Sequence, residues 1–255
     1  MSNLDIKNKK ANVAINELLT RQNYLVVQGN DLARAFGGLK AFEHRVLDYC
    51  FSCVTKEDDV RREYEVDTVD ILNHLGLNKS GKNYLAVANA FKALNEQTAL
   101  YLPIERDGKQ GIRMTQLFSY IDLNVEGKAF FRFGEIAAPL VFQLKRDYYS
   151  FHLHELSAIK SKYTLILMKL WQSRRMNQEE TVEIKGTLED WQIWFLGEEK
   201  WSAGRFKQKV LDIATKELCE KQNCSITIES LKRKRKVEGY QLIIHQKKKH
   251  ANYLG

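Results

Sequence analysis

The sequence holds only two prolines and 14 glycines in 255 residues. That scarcity excludes a collagen-like chain and a Pro/Gly-rich low-complexity one. No apolar run reaches the length of a membrane span. Residues 1–10 carry charge with no apolar stretch behind them, so no secretion signal is expected. The chain is therefore expected in the cytoplasm, with its four cysteines as reduced thiols. A glycine-rich phosphate loop is also missing, so ATP binding is not expected. No cofactor and no metal are expected either. The pairs Cys50/Cys53 and Cys219/Cys224 invite comparison with a zinc site, but Cys50 falls on the apolar face of a predicted helix, where a buried thiol is the simpler reading.

What is present is an ordinary apolar share of 44% and a charged share of 28%, enough for one large core or two modest ones. The net charge is +8, and it is unevenly placed. Residues 1–134 hold 18 Lys and Arg against 17 Asp and Glu, whereas residues 135–255 hold 22 against 15. A near-neutral half joined to a basic half points to a polyanion gripped mainly by the second. A solubilising surface explains the charge equally well by itself.

The apolar spacing predicts an order of elements that occurs twice. Residues 1–20 read as a polar arm, 24–27 as a short strand, and Asn30 and Asp31 as caps. Residues 39–54 read as a helix with Phe42, Val46, Leu47, Cys50 and Val54 inward. A strand at 64–66 follows, then a short helix capped by Asp67 and stopped at Gly76. A second helix at 81–98 turns Tyr84, Val87, Ala88, Phe91 and Leu94 inward and Ala86, Asn89 and Ala93 outward. Strands at 100–104, 113–123 and 129–133 come next. Residues 134–150 connect, with a short helix at 136–144. The order then returns: a helix at 156–175 with Ile159, Tyr163, Ile166 and Leu170 inward, a strand at 181–184, a helix at 188–196 ended by Gly197, a long helix at 202–221, and strands at 225–228 and 240–245 around a tip at 231–239. Helix-turn-helix followed by a hairpin is a winged helix. The expectation is an α+β chain of two tandem winged-helix domains. They occupy 21–134 and 151–246, with a connector at 135–150 and a basic tail at 247–255.

Reading duplex DNA needs a helix whose outer face offers hydrogen-bond donors to the major groove. On the helix at 202–221, Phe206, Val210, Ile213 and Ala214 are expected inward. Arg205, Gln208, Lys209 and Asp212 are expected outward, and Lys207 beside the backbone. Arg matches guanine O6 and N7, and Gln matches adenine N6 and N7. A plain solvated face would look the same. The run Lys232, Arg233, Lys234, Arg235 and Lys236 lies at the predicted wing tip, beside the phosphates when a winged helix docks. Lys160, Ser161 and Lys162, at the start of the second domain's first helix, are further phosphate candidates. So are Lys79, Ser80, Lys82 and Asn83, which open the first domain's recognition helix. Lys247, Lys248 and Lys249 form a second basic run.

An enzymatic alternative rests on His152 and His154, a His-hydrophobe-His pattern used by rolling-circle nucleases, with Tyr163 as nucleophile. It needs the histidines on a central strand, and the spacing puts them at a helix start. A transcription regulator with no replication role remains open, since the same domains serve both.

The chain resembles the iteron-binding initiator proteins of theta-replicating plasmids, from about Asn30 to Ile244. The likeness is carried by Asn30-Asp31-Leu32-Ala33-Arg34-Ala35 with 39–47, by Ser161-Lys162-Tyr163-Thr164-Leu165-Ile166-Leu167, by Phe206-Lys207 through Val210-Leu211, Ala214 and Glu217-Leu218, and by the strands at 225–228 and 239–244. Two departures stand out: Ile166 replaces the family's usual Arg, and Met168 its usual Tyr. The resemblance implies monomers bound to direct repeats in double-stranded origin DNA, with the second domain reading one part and the first contacting the rest. It implies dimers joined through the first domain that repress the protein's own gene. It further implies opening of an AT-rich region and recruitment of host replication proteins such as a helicase or initiator, with no catalytic step and no membrane.

Overall fold

A computed structural model describes Leu32 and residues 36–55, 57–147, 159–174, 180–197 and 199–246. The predicted arm, the strand at 24–27, the caps Asn30 and Asp31, His152, His154 and the lysines at 247–249 lie outside these residues.

The first unit begins with α1 (Ala41–Ser52), which buries Val46, Leu47, Cys50 and Phe51. Strand β1 (Tyr64–Asp67) leads into α2 (Thr68–His74). The Asp67 carboxylate accepts from the Val69 amide at 2.7 Å, the expected cap. Helix α3 (Gly81–Gln97) buries Val87, Ala90, Phe91, Ala93 and Leu94. Ala93, expected outside, is inside, while Tyr84 and Ala88, expected inside, are half-exposed. The core lies on one side of α3 only, so its buried stripe is narrower and rotated.

The single strand expected at 113–123 is two strands. β2 (Ala99–Arg106) and β3 (Lys109–Gln116) form a separate antiparallel ribbon. β4 (Phe118–Leu123) and β5 (Lys128–Phe133) join β1 in a sheet of order β1-β5-β4. The break is at Leu117, which is fully buried. Its amide donates to the Thr98 carbonyl at 3.0 Å, and its carbonyl accepts from the Gly134 amide at 2.9 Å. These long-range bonds pull Leu117 out of either ladder. The first wing is therefore β4–β5, and β2–β3 is an addition to the domain. Its tip, Asp107-Gly108, has both residues at positive φ, the conformation a tight two-residue hairpin turn requires. On β5, Ala129, Phe131 and Phe133 alternate inward against Tyr64, Phe118 and Phe51.

Helix α4 (Ala138–Asp147) follows with Val141 buried. In the second unit α5 spans Lys162–Arg174; of the helix expected at 156–175, residues 156–158 and 175 lie outside the described residues. Ile159, Lys160 and Ser161 are non-helical. The Glu217 carboxylate accepts the Lys160 and Ser161 amides at 2.7 and 3.0 Å, and Ser161 Oγ accepts the Tyr163 amide at 3.1 Å. Those acceptors cap the helix at Ser161. Leu165, Ile166, Leu167, Met168, Leu170 and Trp171 are all buried, because α5 is packed on both sides. It lies against α1 of the first unit and against the second unit's own elements.

Strand β6 (Thr181–Thr187) is longer than expected. Thr187 and Asp190 form a reciprocal capping box for α6 (Leu188–Leu196), which ends at Gly197. The long helix is α7 (Ala203–Phe206), a π-helical turn (Lys207–Leu211) and α8 (Asp212–Lys221), run together. β7 (Cys224–Arg233) and β8 (Lys236–Gln246) complete a sheet of order β6-β8-β7. Both units thus place the first strand against the last strand of the hairpin, with three helices packed on one face. Two winged-helix domains are present, as expected.

The domains meet along α1 and α5. Asp48 and Lys169 form a buried ion pair. Arg45 donates to the Ile159 carbonyl at 3.3 Å. Gly37 touches the end of α6 so closely that a Cβ there would lie 2.8 Å from the Trp194 carbonyl oxygen. Only glycine permits that approach.

Candidate nucleic-acid interface

The helix at 203–221 begins at Ser202, whose hydroxyl accepts the Arg205 amide at 3.4 Å. The π-helical turn adds one residue to the repeat and rotates everything after it by about 100°. The inward set is therefore Phe206, Val210, Leu211, Ala214 and Leu218. Ile213, expected inside, is 44% exposed. Arg205, Gln208 and Lys209 are exposed as expected, and Lys216 and Ile213 extend the same surface. Asp212 is only half-exposed, and its carboxylate holds Lys207 Nζ at 2.7 Å. That pair occupies Lys207, one of the expected backbone contacts, with an intramolecular partner.

The wing differs in shape from the expectation. The tip is not 231–239: β7 runs to Arg233, β8 starts at Lys236, and only Lys234 and Arg235 form the loop. The ladder continues through the charged residues because Arg233 pairs with Lys236. Lys232, Arg233, Lys234, Arg235 and Lys236 are all exposed. Lys234 stands at φ 55°, an unusual conformation for a residue with a side chain. A two-stranded ribbon with five cations at its end is suited to follow a line of phosphates.

The family model described as "Initiator Replication protein, WH1" matches residues 25–172, and "Initiator Rep protein, WH2" matches residues 187–244. The chain belongs to the initiator replication protein family. The first of these matches ends within α5, the helix shared by both packing environments. In structure the chain is similar to the Pi initiator protein solved in complex with iteron DNA, at 14% identity over 86% of this chain and 95% of that one, with a TM-score of 0.66. It is also similar to domains 2 and 3 of RctB, at 16% identity over 82% of this chain and 83% of that one, with a TM-score of 0.53. These likenesses show a shared fold. No curated protein matches the chain.

The other expected sites of this initiator are divided between the two domains. Lys160 is exposed, but its amide and that of Ser161 are spent on Glu217. Lys162 Nζ donates to the Gly37 carbonyl at 3.0 Å, between the domains, and burial lowers its pKa. In the first domain Lys79 and Lys82 are exposed at the start of α3. Ser80 occupies the N-cap without a side-chain hydrogen bond, and Asn83 is tied back to Asn78 at 2.7 and 2.9 Å. The next outward residue is Leu85, 62% exposed. With Tyr84, Leu123 and Val125 of the first wing it lines an open cavity of about 370 Å³. The first recognition surface thus sets the apolar Tyr84, Leu85, Leu123 and Val125 beside polar lining from Thr68, Asn124 and Lys128, with Lys79 and Lys82 exposed at the start of α3.

Tyr163, the nucleophile of the nuclease alternative, is half-buried near Phe195, and burial raises its pKa. Among the described residues no group of His, Cys, Asp and Glu could hold a metal ion. No disulfide joins the four cysteines, and burial pushes the Cys50 thiol well up. Among the described residues no helix is long and apolar enough to cross a membrane. The sequence reading missed Trp201, whose ring lies 4.2 Å from the Arg205 guanidinium carbon. An aromatic residue four positions before an arginine was the available signal.

Proposed function

We propose that this initiator binds repeated double-stranded DNA at a plasmid origin, and that its second domain makes the main grip. The observation that carries the reading is a set of exposed cations and donors in one domain: Arg205, Gln208 and Lys209 on the recognition helix, and five cations at the tip of the wing whose β8 is tied to that helix by the Tyr240 hydroxyl donating to the Ala203 carbonyl. Arg205 and Gln208 read base edges. Lys209 and the residues from Lys232 to Lys236 hold phosphates, and Lys207 joins them when Asp212 releases it. Residues 151–246 form the reading domain and residues 21–134 the auxiliary one. The first domain contributes Lys79 and Lys82 to the backbone, and joins two copies into a dimer that represses the gene. Host replication proteins are recruited to the opened origin, and the protein acts in the cytoplasm without a catalytic step.

The test is direct. Duplexes selected from a random pool by the purified protein should contain a direct repeat that also occurs in tandem beside the gene. A plasmid carrying only the gene and those repeats should replicate, and should fail when Arg205 and Gln208 are both replaced by Ala. Repression without replication would instead mark a transcription regulator. A covalent adduct with single-stranded origin DNA in Mn²⁺, lost with Tyr163→Phe, would mark a nuclease.

A further inference from the structure

Arg205 is an exposed side chain near the start of its helix, where the helix dipole disfavours a cation. A free arginine there would sample many rotamers and lose that freedom on binding, at a cost in affinity. It is not free. Its guanidinium carbon lies 4.2 Å from the centre of the Trp201 ring. A guanidinium lying flat on an aromatic ring leaves open the N–H donors that radiate in its plane, and a separation of 4.2 Å fits that arrangement. Guanine O6 and N7 are read by those in-plane donors. The stack therefore orders the side chain without consuming what recognition needs.

Trp201 is itself held. Its amide donates to Gln192 Oε1 at 3.1 Å, and its carbonyl accepts from Gln192 Nε2 at 2.6 Å. The indole N–H donates to Glu199 at 3.1 Å. Gln192 lies on α6, the helix before the recognition helix, and is 5% exposed. One buried amide thus clamps both sides of the Trp201 peptide. The Glu199 contact sets the ring.

We propose that Gln192 and Trp201 are positioning residues that hold Arg205 ready for a base pair, so that the core of the second domain sets the specificity of its surface. The proposal rests on Arg205 reading a base, as argued above. It predicts a specificity effect at one base pair from residues that need not touch DNA.

Wild type, Arg205→Ala, Trp201→Ala, Trp201→Phe, Gln192→Met and the double variant Arg205→Ala/Trp201→Ala are compared on a selected duplex and all its single-base-pair variants. Arg205→Ala should lose about tenfold or more of the discrimination at one position. Trp201→Ala should lose several-fold at that same position and nowhere else, Trp201→Phe should retain it, and the double variant should match Arg205→Ala. In the free protein the Arg205 Nε–H resonance, shifted by the indole ring current, should move in Trp201→Ala and in Gln192→Met. Thermal midpoints identify any variant that fails to fold, and Trp201→Phe with the resonance readout then carries the test. If Arg205→Ala loses discrimination while Trp201→Ala keeps it, or weakens every duplex equally, positioning is overturned and base reading stands. If Arg205→Ala itself leaves discrimination unchanged, base reading by Arg205 falls and positioning falls with it.

Discussion

Asp48 on α1 and Lys169 on α5 form an ion pair at 2.6 Å, with side chains 1% and 4% exposed. It joins the two domains through their first helices. Both charges have lost their water, so their attraction is set against a desolvation cost of several kcal/mol per ion. Removing one partner strands the other. Asp48→Leu should cost about 3–5 kcal/mol in urea denaturation, and should separate unfolding into two transitions as the domains come apart. Asp48→Leu with Lys169→Met should recover most of that loss. A single variant that unfolds like wild type would show that the pair carries no interdomain stability.

One turn before Asp48, His44 is also closed off, and among the described residues no hydrogen bond of normal geometry reaches either ring nitrogen. Burial holds its pKa well below the ordinary 6.5, and the charges of Lys169 and Lys162 act in the same direction against the weaker opposing effect of the Phe36 backbone. The ring is therefore neutral in the folded chain. The unfolded chain takes up a proton near 6.5, so this site's contribution is complete above that pH and is lost progressively as pH falls below it. Wild type should lose up to about 1.4 kcal/mol per pH unit below neutrality relative to His44→Leu. Stability curves from pH 7.5 to pH 5, taken in about half-unit steps, would decide it. Parallel curves for the two proteins would exclude the histidine as the source.

The π-helical turn makes an opposite pair of expectations for neighbours on one helix. Leu211 is fully buried and Ile213 is 44% exposed. Leu211→Ala should cost about 2–5 kcal/mol, as a large-to-small change in a packed core does. Ile213→Ala should stay within about 0.5 kcal/mol of wild type. An uninterrupted α-helix predicts the reverse order, so equilibrium unfolding of the two variants separates the geometries.

That helix also shows which features were legible beforehand. Asp67 before Val69 and Gly197 after Leu196 are local signals, and each marks an element boundary where expected. The alternation of Ala129, Phe131 and Phe133 reads directly as a half-buried strand. Two of the differences have distant causes. Leu117 leaves its strand because Thr98 and Gly134 claim its backbone, and α5 starts late because Glu217 takes the amides before it. Ile213 turns outward through one extra residue that no apolar spacing announces. The basic surface was legible as a run of charges. Its working shape was not, because exposed cations on a ribbon leave no alternation of burial to mark where strands end and the loop begins.

Lys234 tests that wing in two ways at once. Its φ of 55° is a left-handed conformation, costing about 1 kcal/mol or more for a residue with a Cβ. Glycine adopts it freely but is also freer in the unfolded chain, so Lys234→Gly should be neutral to stabilising by up to about 1 kcal/mol. The same change removes one cation from the proposed phosphate contacts. The slope of log K against log salt should become shallower by about 0.9, with the preference among duplexes unchanged. Lys234→Ala keeps the backbone strain while removing the cation, so it should show the salt effect without the gain in stability. Fluorescence anisotropy across a salt series and urea midpoints on the three proteins give both readouts. If the salt slope is the same for all three, Lys234 does not contact phosphate and the tip of the wing is off the DNA.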